Sequence, residues 1–209
     1  MDLYLFDFDE TLYDYDFRIR LPALSLLTGV SQYDLAKSWW AGGFERRAEA
    51  GEWRRSREYF DQFERVTGAR LTLENWRETR MLASTPIAGS VEALRRASTL
   101  GTVAVLSNNP SPFAESLAIL APDVATVVGD NVLVSSDLGV RKPDAEIYRL
   151  AMERFGSRPE NTFFTDDSAG NIAGAQTVGI TGHRIEWVDG NPRTQELEDA
   201  ITAFAERRD

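Results

Sequence analysis

The 209-residue sequence contains no cysteine and a single histidine, His183. Without thiols there is no disulfide, no thiolate nucleophile and no thiolate metal site, and nothing in the composition calls for an oxidising compartment. One histidine excludes a His-clustered zinc centre and argues against a His-based triad. Positive charge is also short: 23 Lys and Arg stand against 33 Asp and Glu, a net charge of −10. A nucleic-acid footprint needs clustered Lys and Arg, so nucleic acid is not expected as a partner. No run of about 18 apolar residues occurs, and the start has neither the basic residues nor the longer apolar stretch of a signal peptide. The expectation is a soluble cytoplasmic protein, monomer or homodimer, with no membrane partner. Its chemistry must rest on carboxylates, amines and hydroxyls.

At roughly 100–200 residues per domain, the length suits one large domain or one domain with an insertion, long enough to bury a full core. Leu3-Tyr4-Leu5-Phe6 reads as a buried strand ending in Asp7-Phe8-Asp9-Glu10-Thr11. Apolar residues then recur at three- and four-residue spacing over 18–27, 32–40, 57–66 and 73–82, with glycines between the runs and Ser31 and Thr72 as N-caps. Four or five helices are expected there. Trp39, Trp40, Phe44, Trp53, Tyr59 and Phe60 read as packing between them, with one or two left to line a pocket; Arg46 and Arg47 read as an exposed pair.

From residue 85 onward strand and helix alternate. Helices are expected over 90–100 (closed by Gly101), 112–120 (capped by Ser111), 143–155, 169–178 and 194–207, and strands over 103–106, 124–128, 132–134, 162–164 and 180–185. This pattern predicts an α/β fold: a Rossmann-like three-layer αβα core with a parallel sheet, and an α-helical bundle inserted after the first strand as a lid. The expected division is residues 1–14 with 85–209 for the core and 15–84 for the inserted domain. His183, near the last strand, reads as structural.

Open parallel sheets bind ligands outside the carboxyl ends of their strands. Strand one ends at Asp7 and Asp9, the 103–106 strand at Ser107-Asn108-Asn109, and the 162–164 strand leads to Asp166-Asp167 and Ser168; Arg141-Lys142 precedes the Pro143 helix. Four segments thus bring acids, a hydroxyl and one lysine to one sheet edge. Asp7-Phe8-Asp9-Glu10-Thr11-Leu12, Ser107-Asn108, Lys142-Pro143-Asp144 and Asp166-Asp167 resemble, in order, the four motifs of the haloacid dehalogenase superfamily, in its phosphatase branch with an α-helical cap after the first motif. The stretches 137–144 and 163–171 particularly resemble small-sugar-phosphate phosphatases and the phosphatase domain attached to epoxide hydrolases.

The resemblance implies a phosphomonoesterase acting on a small phosphorylated metabolite such as a sugar phosphate or nucleotide. A carboxylate can attack phosphorus and form an aspartyl phosphate that water later hydrolyses, and Asp7 is placed for this. Asp9, two residues on, would protonate the leaving oxygen and then deprotonate the attacking water. Carboxylates this close repel one another unless a cation sits among them, and Mg²⁺ suits hard oxygen ligands. By resemblance its ligands are the Asp7 carboxylate, the Asp9 backbone carbonyl and one acid of the last motif, with Asp167 favoured and Asp166 holding Lys142; Asp166 stays open as a ligand. Ser107 Oγ and the Asn108 N–H would bind phosphate oxygens, and Lys142 would offset the charge of Asp7 and the phosphate.

Three features depart from the common pattern: Glu10 where Gly is frequent, Asn109-Pro110 after the second motif, and Thr165 before the acid pair. Other readings of the same fold are 2-haloacid dehalogenation, which Asp9 argues against, and a hexose-phosphate mutase, which wants basic groups in the cap. A phosphorylation-switched receiver domain shares the residue types but is shorter and lacks the helical insert.

Overall fold

The computed structural model describes residues 1–207. The path opens with β1 (Leu3–Phe6), β2 (Tyr13–Tyr15) and the helices α1 (Phe17–Thr28), α2 (Gln32–Leu35), α3 (Phe44–Glu49), α4 (Ser56–Thr67) and α5 (Leu73–Leu82). It returns through β3 (Ser84–Pro86), which pairs antiparallel with β2. Then follow α6 (Ala88–Leu100), β4 (Thr102–Ser107), α7 (Leu117–Leu120), α8 (Pro122–Val128), β5 (Val132–Val134), α9 (Ser135–Leu138) and α10 (Ala145–Phe155). The chain ends in β6 (Thr162–Asp166), α11 (Ala169–Gln176), β7 (Thr181–Arg184), the small pair β8 (Trp187–Val188) and β9 (Asn191–Pro192), and α12 (Thr194–Glu206).

Five parallel strands form one sheet in the order β5-β4-β1-β6-β7. Side chains alternate across a strand, and β1 shows both faces at work. Tyr4 and Phe6 join the core that includes Val91 and Leu94 of α6 and Phe204 of α12, while Leu3 and Leu5 join Ile147 and Tyr148 of α10 and Ile172 of α11. Helices therefore cover both faces of a Rossmann-type α/β sheet. Because β1 lies between β4 and β6, the site after its carboxyl end is central.

The helices between β2 and β3 build their packing on Trp39. Ser31 and Thr72 cap α2 and α5 as expected, accepting from Asp34 N and Asn75 N. After α2 the chain widens into a π-helical turn over Ala36–Trp40, with Ala41 N bonded to Ala36 O at 2.8 Å. Trp39 is buried against Phe44, Tyr59 and Phe63 at ring-centroid distances of 5.6, 5.3 and 4.9 Å. Its Nε1 and the Tyr59 hydroxyl both donate to the buried Glu45 carboxylate. This layer touches the sheet domain through Arg141 and Glu49, 2.7 Å apart, and through Arg77, which donates to Ser116 Oγ at 2.9 Å and Glu115 O at 2.8 Å. Gly51 is needed where the two parts meet: a Cβ there would lie 2.7 Å from Ser136 O, at a φ of +82°.

Two expected elements differ. Residues 124–128 form helix α8 rather than a strand. Pro122 occupies its first turn, and Val124 and Val128 are buried four apart on one face, a spacing that a short apolar run does not distinguish from a strand. The 112–120 segment is a turn and a 3₁₀ stretch before α7, and Ser111 is no N-cap: its Oγ has no partner. Ser111 precedes Pro112, which disfavours helical backbone, and Phe113 N instead closes a turn onto Pro110 O at 3.0 Å. Gly101 ends α6 in an extended conformation, and what it supplies is closeness, since a Cβ would sit 2.4 Å from Asp2 O. Helix α3 supplies the fifth inserted helix; the pairs β2–β3 and β8–β9 and the short α9 were not expected from the sequence.

Removing the Trp39 ring would leave a cavity and strip Glu45 of one donor. Trp39→Ala is expected to cost about 3–5 kcal/mol, measured by urea unfolding.

Candidate active site

The sheet edge is assembled from the ends of β1, β4 and β6. Asp7 follows β1 directly and is held in line by its N–H, which donates to Thr165 O at 3.0 Å. Lys142 is 1% exposed, and its Nζ lies 2.8 Å from Asp7 Oδ1 and 2.6 Å from Asp166 Oδ2. Asn108 clamps the lysine backbone: Lys142 N donates to Asn108 Oδ1 at 2.9 Å, and Asn108 Nδ2 donates to Lys142 O at 3.0 Å. Asp166 also accepts from Ser168 N at 2.8 Å and from Asn171 Nδ2 at 2.9 and 3.0 Å. Both of its oxygens are therefore committed. Among the described residues no side chain donates to the Asp167 carboxylate.

Beyond Asp7 the chain makes a tight turn, with Leu12 N and Tyr13 N both 2.9 Å from Phe8 O. Glu10 sits in this turn at φ 59°, a left-handed conformation that costs a non-glycine residue about 1–2 kcal/mol. Its carboxylate accepts from Tyr15 N at 3.3 Å, and its carbonyl accepts from Trp187 Nε1 at 3.0 Å. Asp9 is held by two other donors. Arg80 of α5 donates to its Oδ1 at 2.6 Å, and Asn109 Nδ2 donates to its Oδ2 at 3.0 Å. The same Asn109 Nδ2 reaches Ser107 Oγ at 3.0 Å, so one amide links the end of β4 to Asp9. A cavity of about 250 Å³ opens here between the sheet edge and the inserted helices, with Asp9, Asn108 and Asn109 on one wall and Arg20, Trp40 and Arg80 on the other.

A family model of haloacid dehalogenase-like hydrolases matches residues 1–179. The chain belongs to this family. Among curated proteins it is 33% identical over 109 residues to the (S)-2-haloacid dehalogenase 4A of Burkholderia cepacia, covering 52% of this chain and 46% of that protein. It is 34% identical over 68 residues to the phosphoserine phosphatase of Thermus thermophilus, covering 32% and 26%. The matches thus span less than half the length of these relatives. A HAD family enzyme from Bacteroides thetaiotaomicron, solved in complex with magnesium and inorganic phosphate, superposes with a TM-score of 0.71 at 18% identity, covering 89% of this chain and 94% of that one.

For a haloacid dehalogenase-like hydrolase the test is whether this acid cluster fits a divalent cation. Asp7, Asp166 and Asp167 each offer an oxygen within 4.8 Å of the others. One ammonium faces three carboxylates, so the group is short of positive charge. Burial raises the Asp7 carboxyl well above its ordinary range, with Lys142 opposing and Asp166 adding to the rise. Asp167 is raised by burial and then by Asp166. Burial also opposes the charge on Lys142, but Asp7 and Asp166 outweigh it and hold the ammonium above its usual value. A hard dication fits such oxygen donors; Asp7 could hold it with Asp167, to whose carboxylate no described side chain donates, while Asp166 stays with Lys142.

All seven residues singled out from the sequence, Asp7, Asp9, Ser107, Asn108, Lys142, Asp166 and Asp167, lie along this edge. Asn108 engages the lysine backbone through its side chain, a contact not foreseen. Arg20, Arg80 and the connecting role of Asn109 escaped sequence reasoning, because no local spacing connects residues 71 and 100 positions from Asp9. Arg46 and Arg47 are exposed, the latter paired with Glu52. His183 lies on β7 stacked against Phe163 at 6.3 Å, and burial lowers its pKa.

Two measurements test this electrostatic picture. Mg²⁺ is expected to raise the melting temperature, since a ligand bound to the folded state stabilises it, and Asp167→Asn should need at least about tenfold more metal for the same shift. Glu49 lines the cavity wall, and burial and Glu45 raise its pKa to about 7 despite Arg141. The unfolded chain releases this proton near the ordinary glutamate value of 4.5, so it binds fewer protons than the folded chain up to about pH 7. Stability should therefore fall as pH rises through that window. Urea midpoints of wild type and Glu49→Gln compared from about pH 5 to about pH 8 should show that component disappearing in the variant.

Proposed function

We propose that this hydrolase is a Mg²⁺-dependent phosphomonoesterase acting on a small phosphorylated metabolite through an aspartyl phosphate on Asp7. The observation that carries the reading is Asp9. Asp9 lines the cavity two residues from the nucleophile, and a second carboxylate there suits a reaction whose leaving group needs a proton and whose water must later lose one. In this reading residues 15–84 act as a cap over a core of residues 1–14 and 85–209.

In the first step an Asp7 oxygen attacks phosphorus while the bond to the leaving oxygen breaks, and Asp9 gives that oxygen its proton. Water then attacks the aspartyl phosphate, Asp9 takes a proton from it, and inorganic phosphate leaves as Asp7 is restored. Ser107 Oγ and the Asn108 N–H serve the phosphate oxygens, and Lys142 offsets the negative charge that Asp7 and the phosphate bring together. Mg²⁺, held by Asp7, the Asp9 carbonyl and Asp167, would supply charge neutralisation of the phosphoryl group. Asp166 orients Lys142.

A second reading, hydrolytic dehalogenation of a 2-haloacid, draws on the 33% identity to the Burkholderia cepacia dehalogenase. There Asp7 would attack carbon and halide would leave without a proton, so Asp9 would have no task.

Hydrolysis of p-nitrophenyl phosphate with Mg²⁺, run beside chloride release from 2-chloropropionate, separates the two. Expected are phosphate release that EDTA abolishes, no measurable turnover in Asp7→Asn, and a loss of about 10²–10⁴-fold in Asp9→Asn. Undiminished phosphate release by Asp7→Asn would sink the mechanism, and chloride release without Mg²⁺ would establish the second reading.

A further inference from the structure

The charged groups around the cavity are unevenly partnered. Its acids are satisfied: Glu45 accepts from Trp39 and Tyr59, Glu49 pairs with Arg141, and Asp9 pairs with Arg80. Arg20 is not. It lies in α1, 3% exposed, and among the described residues no carboxylate comes within 4.0 Å of its guanidinium. Its one hydrogen bond runs from NH1 to the Tyr15 hydroxyl at 3.1 Å, and its Nε has no partner. Glu45 is near enough to act on Arg20 electrostatically, yet lies beyond ion-pair contact.

Burial opposes the charge on Arg20, but Tyr15, Tyr59 and Glu45 outweigh it and keep the guanidinium charged; what it lacks is a directed acceptor. Arg80 is a second buried cation close by: both guanidiniums lie over the Trp76 ring, at 5.2 and 5.7 Å, and over the Tyr15 ring, at 5.9 and 4.3 Å. Ring faces attract a cation but do not accept its directed N–H bonds, and Arg80 Nε is also without a partner. Arg20 also falls near the N-terminal end of its helix, where the backbone dipole disfavours positive charge. A buried charge normally has a counter-charge. Here the missing one belongs in the cavity that Arg20 lines together with Asp9.

We infer that Arg20, with Arg80 beside it, is the subsite for a carboxylate on the leaving group, so that the preferred substrate is the phosphate ester of a small hydroxy acid. The inference rests on the phosphomonoesterase reading and narrows its substrate class. A planar guanidinium fork matches a carboxylate with two parallel hydrogen bonds. A single negative charge is favoured over a second phosphate because Glu45 shares the cavity wall and would repel a dianion more strongly. The small volume likewise suits a leaving group of few atoms.

The test compares kcat/KM for four esters in Mg²⁺: phosphoglycolate, ethylene glycol monophosphate, phosphoethanolamine and ethylene glycol bisphosphate. Wild type is expected to prefer phosphoglycolate over the neutral monophosphate by about 30-fold, the size of a charge-assisted hydrogen-bonded contact. Arg20→Gln should bring that ratio close to one and Arg20→Lys should keep part of it. A ratio taken within one preparation does not depend on how much of the variant is folded, so a merely structural arginine would leave it unchanged. If Arg20→Gln does not fold, the wild-type ratio and Arg20→Lys decide. A wild-type ratio near one, a ratio indifferent to substitution at Arg20, or a preference for the bisphosphate or phosphoethanolamine overturns the inference. Hydrolysis of p-nitrophenyl phosphate with none of the four esters accepted would remove the subsite and leave the phosphatase reading standing; no hydrolysis of any ester would remove both.

Discussion

Lys142 is buried between two carboxylates, 2.8 Å from Asp7 and 2.6 Å from Asp166, and the geometry of the sheet edge depends on that arrangement. A lone ammonium, or either acid alone, would be expensive to bury; together they hold three chain segments in one plane of contact. Asp7 comes from the end of β1, Asp166 from β6, and Lys142 from the loop that Asn108 clamps to the end of β4. Cooperation among neighbouring strands is what turns separate polar turns into a site.

The inserted helices meet this edge with charges of their own. Arg80 reaches from α5 to Asp9, and Asn109 holds the other oxygen of the same carboxylate. Asp7 and Asp9 are only two residues apart, yet they end in different electrostatic surroundings, the first with Lys142 and the acid cluster, the second with a guanidinium and an amide. A tight turn with left-handed Glu10 follows directly after Asp9. In the proposed reaction, a nucleophile and a proton-transfer group need such different surroundings to keep different roles.

The chain is a haloacid dehalogenase-like hydrolase, and its relatives include both a dehalogenase and a phosphatase. Fold therefore does not choose the bond that is broken. In the proposed reading, the discrimination lies in whether the leaving group needs a proton and in what the inserted layer presents to it. In this chain that layer presents Trp40, Arg20 and Arg80, while Trp39, the adjacent residue on the π-helical turn, goes to the core.

Much of the fold was legible in sequence because strong periodicity, caps and strand-terminal polar residues are local signals. Ser31 and Thr72 capped the helices assigned to them, and the parallel core followed from alternation of strand and helix. Residues 124–128 misled because a short apolar run carries no period, and the meaning of Pro122 appears only once Val124 and Val128 share a buried face. The sequence alone pointed to chemistry on oxygen and amine groups, and it placed the acids and Ser107 at strand ends and Lys142 just before a helix. Only the tertiary structure decided that Lys142 is bound to both Asp7 and Asp166 and, among the described residues, that no side chain donates to the Asp167 carboxylate and that Arg20 is buried with no carboxylate in ion-pair contact. Those facts depend on distances between residues far apart in the chain, and hydrogen-bond partners and burial have no counterpart in local spacing.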